Sequence, residues 1–283
     1  MTINDGYIKL GTRLLDSASP PQVTSIYIPP KTPVDESTDE FGFVFLEDGS
    51  IGPFYVSLDD TRAELERRLV IDGLPNTWGF PHWLERGSLA QRAVAIGLFN
   101  ACSDHVMRRA GFVPTHVPAA GNRDPQPGET IGMVGYFRPL VKKLKSRGCD
   151  LIVLEHQPER VAIEPGVRVA TDPQALANCR SIICTAATLI NDSLDSILAA
   201  TPTAESFSLI GPTASGLPDV LFAHGVTATG GVWFDDTTAV QEKLDQQASW
   251  GKVGQKYQLT SANYPGIDAL LARINRPDRL QPH

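Results

Sequence analysis

The stretch Thr130–Glu155, TIGMVGYFRPLVKKLKSRGCDLIVLE, decides the fold. Residues 131–137 (IGMVGYF) form an apolar run of strand length that meets a glycine turn at Gly135. Residues 139–147 (PLVKKLKSR) carry helix punctuation: Pro139 suits a first turn and Gly148 a stop. Residues 150–155 (DLIVLE) are a second apolar strand. Uninterrupted apolar strands joined through a helix imply a parallel pair covered on both faces. The pattern continues downstream, with a short helix at 174–179, a strand at 181–185 (SIICT), a helix at 191–200 and a strand at 206–211 (SFSLIG). A helix at 217–224 stops at Gly225; a short strand within 226–233 and a helix at 237–248 follow. Right-handed crossovers turn this alternation into a Rossmann-like, doubly wound parallel sheet, so the fold class is α/β.

Upstream the order changes. Residues 22–28 (QVTSIYI), 41–46 (FGFVFL) and 52–58 (GPFYVSL) read as three strands, with turn chemistry in EDGS after the second. Asp59 and Asp60 open a helix, DDTRAELERRLV, and Ser88–Ala110 is a strong helix whose apolar positions cover a broad face, as a centrally packed helix requires. Strands followed by helices make an α+β unit. The segment Val117–Glu129 is rich in proline, glycine and charge and lacks an apolar period. A boundary there divides the chain into an α+β domain, 1–125, and a Rossmann-like ligand-binding domain, 126–283.

Composition narrows the function classes. With 283 residues, 42% hydrophobic and 20% charged, the chain has the material for packed cores. Its 25 Lys and Arg against 32 Asp and Glu give a net charge of −7, which argues against a nucleic-acid surface or an electrostatic membrane anchor. No apolar run approaches the roughly 20 residues of a spanning helix, and the N-terminus lacks the pattern of a secretory signal. Four cysteines (Cys102, Cys149, Cys179 and Cys184) are too sparse for a disulfide scaffold, so a cytoplasmic location with reduced thiols is expected. The expected partner is a small-molecule ligand, with a homodimer as the candidate assembly.

In a doubly wound sheet, ligands bind beyond the carboxyl ends of the strands. The loops there are Gly135-Tyr136-Phe137-Arg138, Glu155-His156-Gln157, Thr185 to Asn191 through Thr188 and Leu189, and Gly211-Pro212-Thr213. Gly135 stands where a dinucleotide fold places its first fingerprint glycine, and Glu155 at the offset of a ribose-binding acid. The later fingerprint glycines are replaced by Phe137 and Leu140, which argues against NAD or FAD and leaves a nucleoside without a diphosphate. Each candidate has a plainer alternative. Glu155 can be a surface carboxylate, Asn191 a helix N-cap and Gly211–Gly216 a turn rather than an anion nest. Asn100, a poor residue for a helix interior, can contact a ligand or tie the helix to a loop. Metal-ligand spacing is absent: the histidines, His82, His105, His116, His156, His224 and His283, are scattered, and only Glu155-His156 sets two ligand types side by side. No GxSxG elbow or Walker loop is present.

GMVGYFRPLV, LEHQPE, TAATLINDSLDSIL and IGPTASGLPDVLFAHGVTATGGVWFDD, preceded by AVAIGLFNA, run in the order of an uncharacterised prokaryotic family described by heavy-metal chelation. The chain resembles that family from about Phe41 to Gln247. The resemblance implies an enolase-N-like first domain, a Rossmann-like second domain and a site in the cleft between them. It places Asn100, Gly135, Phe137, Glu155, Thr185, Thr188, Asn191, Gly211, Pro212 and Thr213 at that site, with Tyr136 and Leu189 as neighbours in the same loops. Tyr136, Arg138-Pro139 and Ala186-Ala187 depart from the family pattern, which bears on the ligand and not on the fold.

The expectation is a ligand-binding protein whose cleft takes an adenosyl or other nucleoside-type ligand. S-adenosylmethionine used by a transferase or lyase in metal-chelator metabolism is the leading version. The alternative is a non-enzymatic heavy-metal binder or metal-homeostasis protein holding a divalent metal, and a third is an interaction module.

Overall fold

The computed structural model describes residues 1–30, 40–115, 125–162 and 164–275. The chain opens with a helix, α1 (Ile3–Ala18), followed by three strands, β1 (Val23–Tyr27), β2 (Phe41–Leu46) and β3 (Ile51–Tyr55). These pair as an antiparallel meander in the order β1-β2-β3. Helices α2 (Thr61–Asp72), α3 (Phe80–Arg86) and α4 (Leu89–Arg109) complete the α+β unit.

FGFVFL lacks polar alternation because the meander is buried on both faces. Val44, Leu46, Phe54 and Val56 join the main core with α4, whereas Phe43, Phe45 and Ile51 pack with Val232, Phe234, Val240 and Trp250 of the second half. Contact with α4 is close at backbone level: a Cβ on Gly52 would lie 1.8 Å from the Gly97 carbonyl oxygen.

The second half contains β4 (Thr130–Val134), α5 (Arg138–Ser146), β5 (Asp150–Leu154), β6 (Val167–Ala170), β7 (Ser181–Thr185), α6 (Leu194–Ala200), β8 (Ser206–Ile210), α7 (Asp219–Ala223), β9 (Ala228–Trp233), α8 (Thr237–Asp245), β10 (Gln255–Leu259) and α9 (Ile267–Ile274). Its sheet order is β10-β9-β8-β7-β4-β5-β6. All pairs are parallel except β10 with β9. Taking β4 as the first strand, this is the doubly wound order 3-2-1-4-5-6 with an antiparallel seventh strand on the far edge. Side chains alternate as parallel strands buried on both faces demand. Ile131, Met133, Leu151, Val153 and Ile183 face α5, while Val134, Leu154, Ile182, Cys184 and Leu209 face the core shared with α1 and α4.

Several elements differ from the sequence expectation. α1, α3, β6, β10 and α9 lie outside the elements the sequence pattern predicts. The first strand of the parallel sheet ends at Val134 rather than 137, because Gly135 turns the chain at φ +78°. Residues 174–179 hold no α-helix; a 3-10 turn spans Pro173–Leu176. The helix expected from 191 begins at Leu194 with Ser193 as its N-cap. The proposed boundary falls mostly on residues 116–124, outside the described residues, as do His116 and His283. The two units share one continuous apolar core running from Ile3 to Leu271.

Candidate functional site

The sheet reverses its winding between β4 and β7: the chain leaves β4 toward β5 and β6, then returns to the other side at β7. The strand-end crevice at such a switch point is where open α/β sheets hold ligands. Gly135 and Thr185 meet there. A Cβ on Gly135 would approach Thr185 Cγ2 to 3.0 Å, and its positive φ already disfavours a side chain. The Gly135 N–H donates to the Leu154 carbonyl at 2.9 Å, closing the turn.

Glu155 follows β5 and is half-buried. One carboxylate oxygen accepts the Gln157 N–H at 3.2 Å; the other makes no hydrogen bond among the described residues. The charge of Glu155 reaches Tyr55 at the end of β3, in the first unit. Burial holds the Tyr55 phenol well above its ordinary value, assisted by the carboxylates of Glu40 and Glu155 and opposed by Arg160.

Tyr136 and Phe137 lie in the turn after Gly135, half-buried against the α5 side of the sheet. Gly211, at φ +124°, ends β8 and starts a 3-10 turn, Pro212–Ala214. The Tyr136 hydroxyl and Thr213 Oγ1 are buried without a hydrogen-bond partner among the described residues, and Thr213 is only 1% exposed. Such groups cost free energy until something polar pairs with them.

The remaining candidates lie elsewhere. Thr188 and Leu189 are buried in the 3-10 turn after β7 and line a separate small depression with Asn4 and Tyr7 of α1, Ile96 of α4 and Asp195. Thr188 Oγ1 donates to the Thr185 carbonyl at 2.7 Å, which tightens that turn. Asn191 is exposed, and its side-chain oxygen accepts from the Ser193 N–H (3.2 Å) and hydroxyl (2.6 Å). This is a local turn ahead of α6 rather than the helix cap itself.

Asn100 is 2% exposed and ties helix to loop. Its amide donates to the carbonyls of Pro53 (2.7 Å) and Thr213 (3.0 Å). It belongs to a stripe along α4 that sequence reasoning overlooked. Arg92 donates to the carbonyls of Ile190 (2.8 Å) and Leu84 (2.6 Å), and Ser103 Oγ accepts the Leu217 N–H at 3.1 Å. Positions 92, 96, 100 and 103 share one helix face, so α4 of the first unit braces the loops after both β7 and β8. A lone arginine near the start of an apolar helix face was the available signal for Arg92. Tyr55 and Arg160 carried none.

The donor set does not fit direct metal chelation. Among the described residues no three His, Cys, Asp or Glu side chains come together. His156 is exposed beside Glu155. All four cysteines are free and buried, and burial pushes the Cys184 thiol up to about 12, opposite to what a thiolate ligand needs. No described helix is long and apolar enough to cross a membrane.

A model of the DUF364 family, described as "Putative heavy-metal chelation", matches residues 119–263. Among curated proteins, the chain is similar to an uncharacterized protein of Methanocaldococcus jannaschii, 27% identical over 140 residues, or 49% of this chain and 53% of that protein. The chain thus spans about half the length of that curated relative. Among solved structures, it is similar to a DUF364 protein of unknown function from Pyrococcus horikoshii (TM-score 0.67, 15% identity, covering 92% of this chain and 100% of that one). It is also similar to one from Desulfitobacterium hafniense DCB-2 (TM-score 0.60, 16% identity, 91% and 99%). At these identities the likeness is one of fold.

Proposed function

Because the chain belongs to the DUF364 family, we propose that it binds a small polar ligand at the β4/β7 switch point, against the β3 end of its first unit. The ligand class that best suits the crevice is an adenosyl or other nucleoside-type molecule such as S-adenosylmethionine, handled by an enzyme of chelator metabolism. The observation that carries this reading is the position of Glu155, a half-buried carboxylate at the end of the second parallel strand whose one hydrogen bond among the described residues is to the Gln157 N–H. A carboxylate there can accept both hydroxyls of a ribose, as in other folds of this order. Gly135 lies close against the Thr185 side chain, and Phe137 and Leu140, bulky residues where fingerprint glycines would stand, argue against a pyrophosphate. The unpaired Tyr136 hydroxyl and Thr213 Oγ1 add two polar groups suited to a bound molecule.

The family description supports a second reading, a metal-homeostasis binder. Given the donor set, metal would arrive already held by a small chelator. A thermal-shift panel of adenosyl compounds and divalent metal salts separates the two. The nucleoside reading predicts stabilisation by S-adenosylmethionine or its analogues that disappears in Glu155→Ala. Stabilisation by metal salts alone, indifferent to that substitution, replaces it with the second reading.

A further inference from the structure

Four of the six exposed large apolar side chains among the described residues, Val70, Ile71, Leu74 and Trp78, fall within nine residues at the end of α2 and just beyond it. Val70 is 87% exposed and Ile71 79%. An apolar group of this kind, rimmed by charge, marks an association surface. Toward its own core α2 buries only Thr61 and Leu65. On the outer side Ala63, Glu66, Arg67, Val70 and Ile71 are all exposed, and their spacing of i, i+3, i+4, i+7 and i+8 makes one continuous stripe.

We propose that this stripe docks a second copy of the same chain, α2 lying antiparallel to α2 across a two-fold axis between Glu66 and Arg67. Charge selects the occupant. A two-fold contact is self-complementary, so residue i meets residue j and j meets i. An axis at that point sets Glu66 of each copy against Arg67 of the other, twice over, and seats the small Ala63 against the branched Val70, also twice. Neither Glu66 nor Arg67 forms an ion pair within the chain among the described residues; the α2 ion pairs run from Arg68 to Glu64 and Asp72. Leu74 and Trp78, just beyond the end of α2, are exposed as well. One helix pair with these flanks is smaller than a standard interface of about 800 Å² per partner, so the dimer forms in the micromolar range or weaker, about 10 µM. This inference is independent of the ligand proposed above.

Sedimentation equilibrium up to about 100 µM tests it. The wild-type chain is expected to pass from monomer to dimer over that range. Val70→Asp is expected to weaken dimerisation at least about tenfold, with an unchanged thermal melt because the position is exposed. Glu66→Arg alone and Arg67→Glu alone each set like charges against one another and weaken the dimer. Both changes in one chain restore it, as does an equimolar mixture of the two single variants. A wild-type chain that stays monomeric throughout overturns the proposal. So does a dimer indifferent to Val70→Asp, or one that the paired charge reversal fails to rescue.

Discussion

Asn100 and Asp104, one turn apart on α4, carry opposite kinds of burial. The Asn100 amide closes two carbonyl groups from different units. Asn100→Ala therefore leaves both buried acceptors unpaired and is expected to cost about 2–4 kcal/mol in urea unfolding. A cost below about 0.5 kcal/mol would mean the tie is dispensable. Asp104 accepts the Ile51 N–H and Arg108 Nε, each at 2.9 Å, while the Arg108 guanidinium lies over Trp233 and donates to the Phe234 carbonyl. Burial lifts the Asp104 carboxyl from 3.8 to about 6, against the pull of Arg108 and the Ile51 N–H. Since its folded value lies above the unfolded one, the folded state holds this proton more tightly. The resulting stability is complete below about pH 4 and lost as pH rises through about 6, for a total of about 3 kcal/mol. Asp104→Asn keeps an acceptor and removes the titration. The wild-type stability relative to this variant should thus fall between about pH 4 and 6, and a flat difference contradicts the assignment.

At the scale of elements, the α4–β3 contact is the least forgiving. Gly52→Ala drives a methyl group into the Gly97 carbonyl, and the expected loss exceeds about 3 kcal/mol, read as a collapse of soluble folded protein. Arg92→Ala acts more locally. It frees the carbonyls of Leu189 and Ile190, so faster amide exchange is expected at 187–192, with little change in β4 or β5. Uniform exchange across the chain would show that Arg92 only supports the global fold. How legible each element was follows from its burial. β4, β5 and β7 are buried on both faces and read as apolar runs, and β8 (SFSLI) is equally buried with two serines among its apolar residues. β6 (VRVA) is a short edge strand, half-buried, with no such run. β10 (QKYQL) is the antiparallel edge, and its polar residues hide it. α1 carries a helical period and a capping box from Thr2 to Asp5, but Gly6 and Gly11 blur the pattern. Both are needed, because Val220 and Phe80 come within 2.5 Å of where their Cβ atoms would lie.

For the whole molecule, the doubly wound parallel class is legible because helix-linked parallel strands allow few windings, whereas the full strand order needs the edge strands β6 and β10, which the sequence hides. The crevice was only half deducible. Gly135, Glu155, Thr185 and Gly211 all belong to strand ends that one sheet brings side by side. The α4 brace depends on packing between segments about 100 residues apart in sequence, and no local pattern announces it. The same packing explains why Asn100 and Thr188, polar residues near the crevice in sequence terms, are committed to backbone carbonyls. The two units share one apolar core. Calorimetric titration of S-adenosylmethionine into the wild-type chain and into Glu155→Gln tests the nucleoside site most directly. Saturable binding by the wild type, weakened at least about tenfold in the variant, is the predicted result. Equal affinities, or no heat from the nucleoside in either protein, would contradict it.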